Sequence, residues 1–254
     1  MLFSVGCAQA LNYTQDNAPR FAGTYAPAGE APFDRTLDVV TLNIKFGQRV
    51  ELAKKLFDHA QELGRADVVF LQEMDEPCTR ALAAHLEMAY VYYPATVHPR
   101  TARDFGNAVL SRWPIARDWK IRLPHRGLFD GSQRIATCAS VQTPIEAVDV
   151  CSLHLATPVE LLPGARRDQL RAVVERLRGT QRVIVGADLN SHGLGTVLTR
   201  QAFDWPTKGV GATRGPFAVD HIFTRGFSVE QVGKVDDSLG ASDHSAVWAK
   251  LVWR

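Results

Sequence analysis

Runs of β-branched residues alternate with stretches of helical periodicity along this sequence, and that alternation confines the chain to the α/β class. LDVVTLNIK (37–45) reads as a strand, and Val50, Ala53, Leu56, Phe57, Ala60 and Leu63 follow at the spacing of one helix face. ADVVFLQE (66–73) returns as a second strand, and Thr79 to Ala89 reads as a second helix. GNAVLSRWPI, RIATCASV and VDVCSLHLA read as further strands. After Pro163, Leu170, Val173, Val174 and Leu177 mark an amphipathic helix, closed by Gly179 before the strand RVIVGADLN. VDHIFTR and AVWAKLVW supply the last strands. Adjacent β runs without intervening helices imply mixed sheets. A strand, helix, strand unit ending in a polar cluster occurs twice, at Glu73 and at Asn190.

Residues 1–36 read as an irregular lead-in rich in Pro, Gly, Ala and Asn, and residues 37–254 as one globular domain. The first ten residues, MLFSVGCAQA, combine a short apolar stretch with a small-x-small ending, the form of a signal-peptidase site. They fit the tail of an export signal, which places the chain in a periplasmic, secreted or lipid-anchored setting; a frayed N-terminal strand fits them as well. No run approaches the roughly 20 apolar residues of a membrane-spanning helix. Four cysteines show neither a CxxC pair nor metal-ligand spacing. A hairpin turning at Pro144-Ile145 would set Thr143 against Glu146 and Cys138 against Cys151. Two small buried hydrophobes account for that pair more simply than a cross-strand disulfide.

The polar residues that carry chemistry sit at strand ends. Asn43 interrupts LDVVTLNIK near its end, Glu73 closes VVFLQE, His154 closes VDVCSLH, and Asp188 and Asn190 close RVIVGADLN. Asp220 opens DHIF, and Asp243-His244 precede the last strand. Strand ends are rigid and converge on one rim of a sheet, so such side chains can meet over a pocket. His192 and His221 read as a loop residue and a packing residue.

The series TLNIKFG, FLQE, GNAVLSRWPI, SLHL, GADLN, VDHIF and SDH resembles the endonuclease/exonuclease/phosphatase superfamily, with its DNase I-like fold, over the chain from Leu37 onward. The resemblance implies a four-layered α/β sandwich of two packed mixed β-sheets, with the site at one rim. It also implies metal-assisted hydrolysis of phosphate esters. A phosphodiester repels nucleophiles, so a catalyst must neutralise its charge, activate water and stabilise the leaving oxygen. Glu73 with Asn43 suits Mg²⁺ or Mn²⁺, and Asp243 is a further candidate ligand. By resemblance, Asp220 fixes His244 toward phosphate, Asp188 orients or deprotonates water, Asn190 holds water or a phosphoryl oxygen, and His154 donates to a non-bridging oxygen. The base is either Asp188 or the Asp220–His244 pair. The chain departs from nuclease members where they place a glutamate that supports the histidine matching His154: it has Gly106-Asn107 there.

Asn107, Arg112 and Arg134 are candidate phosphate contacts. From Tyr93 to Arg134 there are eight Lys or Arg against three Asp or Glu, within a chain of net charge +2. That excess, including Arg100 and Arg103 beside His98, suits a nucleic acid; a phospholipid or inositol-phosphate head group is the rival, with Leu128-Phe129 a candidate membrane contact. A binding module without turnover is the alternative of another class. Nothing in the sequence calls for an obligate protein partner.

Overall fold

The structure, a computed structural model, describes residues 9–28, 33–99 and 101–254. The strands and helices follow in the order β1 (Leu11–Asn12), β2 (Phe21–Thr24), β3 (Thr36–Asn43), α1 (Val50–His59), α2 (Gln61–Gly64), β4 (Val68–Met74), α3 (Glu76–His85), β5 (Ala89–Val97) and β6 (Asp104–Ser111). The second half continues with β7 (Ile115–Arg122), β8 (Ile135–Gln142), β9 (Ala147–His154), α4 (Pro163–Arg176), β10 (Val183–Asp188), α5 (Thr196–Thr199), β11 (Asp220–Arg225), β12 (Phe227–Val235) and β13 (Ala246–Trp253). The larger sheet runs β1-β5-β6-β4-β3-β13-β12, with β2 also on β5, and the smaller runs β11-β10-β9-β8-β7. Both are mixed: β3 and β4 are parallel, as are β9 and β10, and their other pairings are antiparallel.

The four layers follow from alternation of side chains across each strand. Val40, Leu42, Val69 and Leu71 face outward under α1 and α3, with Leu56, Phe57 and Leu82. Val39, Val68, Phe70, Val150, Ile184 and Ile222 face inward and form the core between the sheets. Leu153, Val183, Val185 and Phe223 face the far side, under Leu170 and Val173 of α4. The repeated unit of the sequence is the pair of parallel crossovers, β3-α1-β4 and β9-α4-β10.

Several boundaries differ from the sequence reading. The helix expected over Thr79–Ala89 begins at Asp75, whose carboxylate caps Cys78 N at 3.0 Å, and ends by His85. Ala89 then opens β5, a strand that Pro94 disguises; Pro94 lies at a register shift, where a ladder donor is dispensable. The lead-in is not wholly irregular, because β1 and β2 pair with β5. The hairpin of β8 and β9 has the expected register, with Cys138 opposite Cys151. Contrary to the simpler expectation, those two cysteines form a disulfide: as direct cross-strand partners their side chains leave the same face. The export-signal reading of residues 1–8, like Arg100 of the basic segment, lies outside the described residues. No described helix is long and apolar enough to cross a membrane.

Candidate active site

The rim where β3, β4, β9 and β10 end together holds the cluster. Asn43 and Asp188 are the last residues of their strands, on opposite sheets, and Asn43 Nδ2 donates to Asp188 Oδ2 at 3.0 Å. The same amide nitrogen reaches Glu73 Oε1 at 3.0 Å, and Asn43 Oδ1 accepts from Lys45 N at 2.9 Å. Asn43 therefore presents nitrogen to the carboxylates, and its oxygen, expected beside Glu73 as a metal ligand, holds the backbone of Lys45. Glu73 lies at a register shift of β4 and has a φ of 58°, a left-handed conformation uncommon outside glycine. Asn190, past the end of β10, has a φ of 49°. In both halves a polar residue at the rim takes a left-handed backbone conformation.

Asp188 is the hub. It accepts from Asn190 N at 2.8 Å, and His154 Nε2 and His244 Nε2 lie 3.5 and 4.0 Å from its Oδ2. Burial, reinforced by the charge of Asp220, pushes the Asp188 carboxyl up to about 7. His244 Nδ1 meets Asp220 Oδ2 at 2.8 Å. Burial works against the imidazolium, but the hydrogen bond to Asp220 and the charges of Asp220 and Asp188 raise His244 to about 9. Asp220 is itself seated by its backbone N–H, which donates to Thr213 Oγ1.

His154 behaves oppositely: burial, then the charges of Arg134 and His244, hold it well below its ordinary value, so its imidazole is neutral. Both its nitrogens face donors, Arg134 Nη1 at 3.1 Å from Nδ1 and Asn190 Nδ2 at 3.2 Å from Nε2. A neutral imidazole accepts at only one nitrogen; the tautomer that accepts from Arg134 carries its proton on Nε2, toward Asp188. Arg134 is in turn held by both oxygens of Glu160, at 2.8 and 2.9 Å. Glu160 was not foreseen. Its signal is the sequence Thr157-Pro158-Val159-Glu160, a capping-box pattern in which Glu160 N donates to Thr157 Oγ1 and Thr157 N to Glu160 Oε2. Arg166, also unforeseen, ties the loop down by donating to the carbonyls of Ala156, Leu189 and Asn190.

Three expected residues are placed elsewhere. Asn107 donates its amide to the carbonyls of Ile135 and Ser152, joining the two sheets. Arg112 lies at the opposite end of the large sheet, beside Asp67 and the Arg65 carbonyl, because β6 runs antiparallel to β4. Asp243 stands at the rim facing Arg214 at 3.2 Å and Lys45 at 3.9 Å, outside the carboxylate cluster. The basic segment is largely neutralised by carboxylates from outside it: Arg103, Arg112, Arg117, Arg122 and Arg134 pair with Asp75, Asp67, Asp149, Asp16 and Glu160.

The donor set fits a hard divalent ion. Asp188 and Asp220 offer carboxylate oxygens that lie, with a His244 ring nitrogen, within 4.8 Å of one another, Asp220 Oδ1 is buried without a partner, and Glu73 adds a third carboxylate across Asn43 Nδ2 from Asp188.

Two packed mixed sheets with this cluster on their shared rim define a DNase I-like α/β sandwich. The chain belongs to the endonuclease/exonuclease/phosphatase family, a family of phosphoesterases, whose sequence profile matches residues 40–244. The fold is similar to that of the endonuclease/exonuclease/phosphatase from Bacteroides vulgatus, with a TM-score of 0.70 at 17% identity over 86% of this chain and 99% of that one. It is also similar to the mannosyl-6-phosphatase of Bacteroides thetaiotaomicron, with a TM-score of 0.64 at 16% identity over 85% and 100%. The human Nocturnin catalytic domain with bound sulfate anion gives 0.67 at 16% identity over 92% and 98%. No curated protein sequence matched.

Proposed function

We propose that this chain is a Mg²⁺-dependent phosphoesterase that hydrolyses its substrate by in-line attack of water. The observation that carries this reading is the buried Asp188 carboxylate, on which Asn43 of one sheet and Asn190, His154 and His244 converge within 2.8 to 4.0 Å. A buried carboxylate persists only where hydrogen bonds and opposite charge offset its desolvation, and here the groups that do so are ones suited to water and phosphate. Glu73 would hold the ion, which when bound supplies charge neutralisation to phosphoryl oxygens.

The chain's own groups do the rest. Asp188, poised near neutrality, takes the proton of the attacking water. Asn190 fixes that water or a phosphoryl oxygen. His244, kept protonated by Asp220, faces the phosphate with positive charge, and neutral His154 donates an N–H as negative charge develops. The Cys138–Cys151 disulfide supports an oxidising, exported setting.

The test is turnover of a chromogenic phosphodiester and its monoester after EDTA treatment and return of Mg²⁺ or Mn²⁺. We expect loss and recovery, with Glu73→Gln and Asp188→Asn lowering turnover by about 100-fold or more in line with loss of a charge-stabilising group. Turnover indifferent to EDTA, or a near-wild-type Asp188→Asn enzyme, would overturn the proposal. Phosphate binding without turnover would favour a binding module.

A further inference from the structure

Among the described residues, all but Phe217 of the most exposed large hydrophobic side chains lie on neighbouring segments. Leu128 and Phe129 are 67% and 68% exposed, Val159 and Leu162 are 73% and 70%, and Leu11 is 66%. They lie on three segments laced by hydrogen bonds: Ala10 N donates to Asp130 O, Asn12 Nδ2 to Gly131 O, and Leu128 N to Glu160 O. Single exposed apolar residues need no explanation, but a cluster of this size marks a contact surface. Its own packing does not require these side chains: the buried neighbour Leu161 already anchors the loop.

This surface is continuous with the candidate site. Glu160, whose carbonyl holds Leu128, grips Arg134, and Arg134 lies on His154. Its charge is also specific. Arg126 and Arg167 are exposed beside the apolar residues in sequence, and neither has an ion-pair partner among the described residues, unlike the paired arginines of the basic segment. The one carboxylate of the 125–134 loop, Asp130, turns inward and accepts from Ser132 N.

We propose that this face docks on an anionic phospholipid bilayer, inserting Leu128, Phe129, Val159 and Leu162 into the interface while Arg126 and Arg167 meet lipid phosphates. Exposed apolar side chains with unpaired cations on the same segments match a bilayer surface, which presents hydrocarbon beneath anionic head groups. A second copy of this chain would bring the same uncompensated positive charge to this face rather than anionic groups. Docking so oriented would bring His154 and its neighbours to lipid phosphate esters; that consequence rests on the phosphoesterase reading, whereas docking itself does not.

The experiment separates the two. The full chain is sedimented with vesicles of phosphatidylglycerol and phosphatidylcholine, and with phosphatidylcholine alone, and soluble phosphodiester turnover is measured in parallel. We expect binding to the mixed vesicles, weakened about tenfold or more in Leu128→Ser/Phe129→Ser and in Val159→Ser/Leu162→Ser. Arg126→Gln should weaken binding to the anionic vesicles alone. Soluble turnover and thermal midpoint should stay at wild-type values, showing that the variants fold. Absent vesicle binding, binding unchanged in both double variants, or a wild-type dimer that the variants dissolve would overturn the proposal. A protein that docks but has no turnover would sink the phosphoesterase reading and leave the docking face standing.

Discussion

At the residue scale, the sequence names most of the cluster because each member interrupts an apolar strand at its end, where a polar side chain has little structural reason to be. Asn43, Glu73, His154, Asp188, Asn190, Asp220 and His244 all come to the same rim. Arg134 and Asn107 show the limit of that logic. Both are candidate phosphate contacts in the sequence, yet Asn107 is occupied by backbone carbonyls, while Arg134 reaches the His154 ring, its guanidinium held by Glu160. The partner of a long side chain depends on where a loop returns, which no local pattern encodes. Glu160 thus supports the histidine indirectly, through an arginine. We expect Glu160→Gln to release the arginine fork and lower kcat about tenfold with little change in KM, as loss of a preorganised group does. Arg134→Gln should do the same, and the double variant should be no worse than either alone. Additive losses would show that the two residues act separately.

At the scale of elements, apolar periodicity identified α1 and α4, whose cores are simple, whereas β5 escaped because a proline sits within it and β7 and β12 because their exposed edges are polar. The start of β4 carries a feature that periodicity cannot show. Asp67 is buried between β3 and β6, accepting from Asp38 N at 2.9 Å and facing Arg112 Nε at 3.3 Å. Burial pushes its carboxyl up to about 6 despite those partners. Because this folded-state value lies above the unfolded one, the protonated form is the better fit, and the group's contribution to stability is full below about pH 4 and is lost as pH rises through about 6. Asn at this position keeps an oxygen for Asp38 N without the charge. Asp67→Asn should therefore gain on the order of 1 to 3 kcal/mol relative to wild type on going from pH 4.5 to 7.5. Urea unfolding at the two pH values measures it, and an equal difference at both would refute the assignment.

At the scale of the whole molecule, the site exists only because two sheets meet in one register. Asn43 and Glu73 belong to the larger sheet, His244 to the loop that leads into its strand β13, and His154, Asp188 and Asp220 to the smaller sheet, so a relative shift of the layers by a fraction of an ångström would part Asn43 from Asp188. The glycine of GADLN, legible in the sequence only as part of a motif, is what sets that approach. The Phe70 ring of the larger sheet lies on Gly186 of the smaller, where an added Cβ would come within 2.3 Å of Cδ2. Both groups are in the inter-sheet core, with no room for the ring to move aside, so Gly186→Ala must push the sheets apart. Overpacking of this kind costs about 1 to 3 kcal/mol. Here it should also lower turnover well beyond what unfolding explains, since the site straddles the seam. Phe70→Leu in the same chain removes ring atoms from the contact and should restore both stability and turnover in part. Measured by urea unfolding and by chromogenic diester hydrolysis, a Gly186→Ala enzyme that loses stability but keeps full turnover would mean that the site tolerates motion between its two halves.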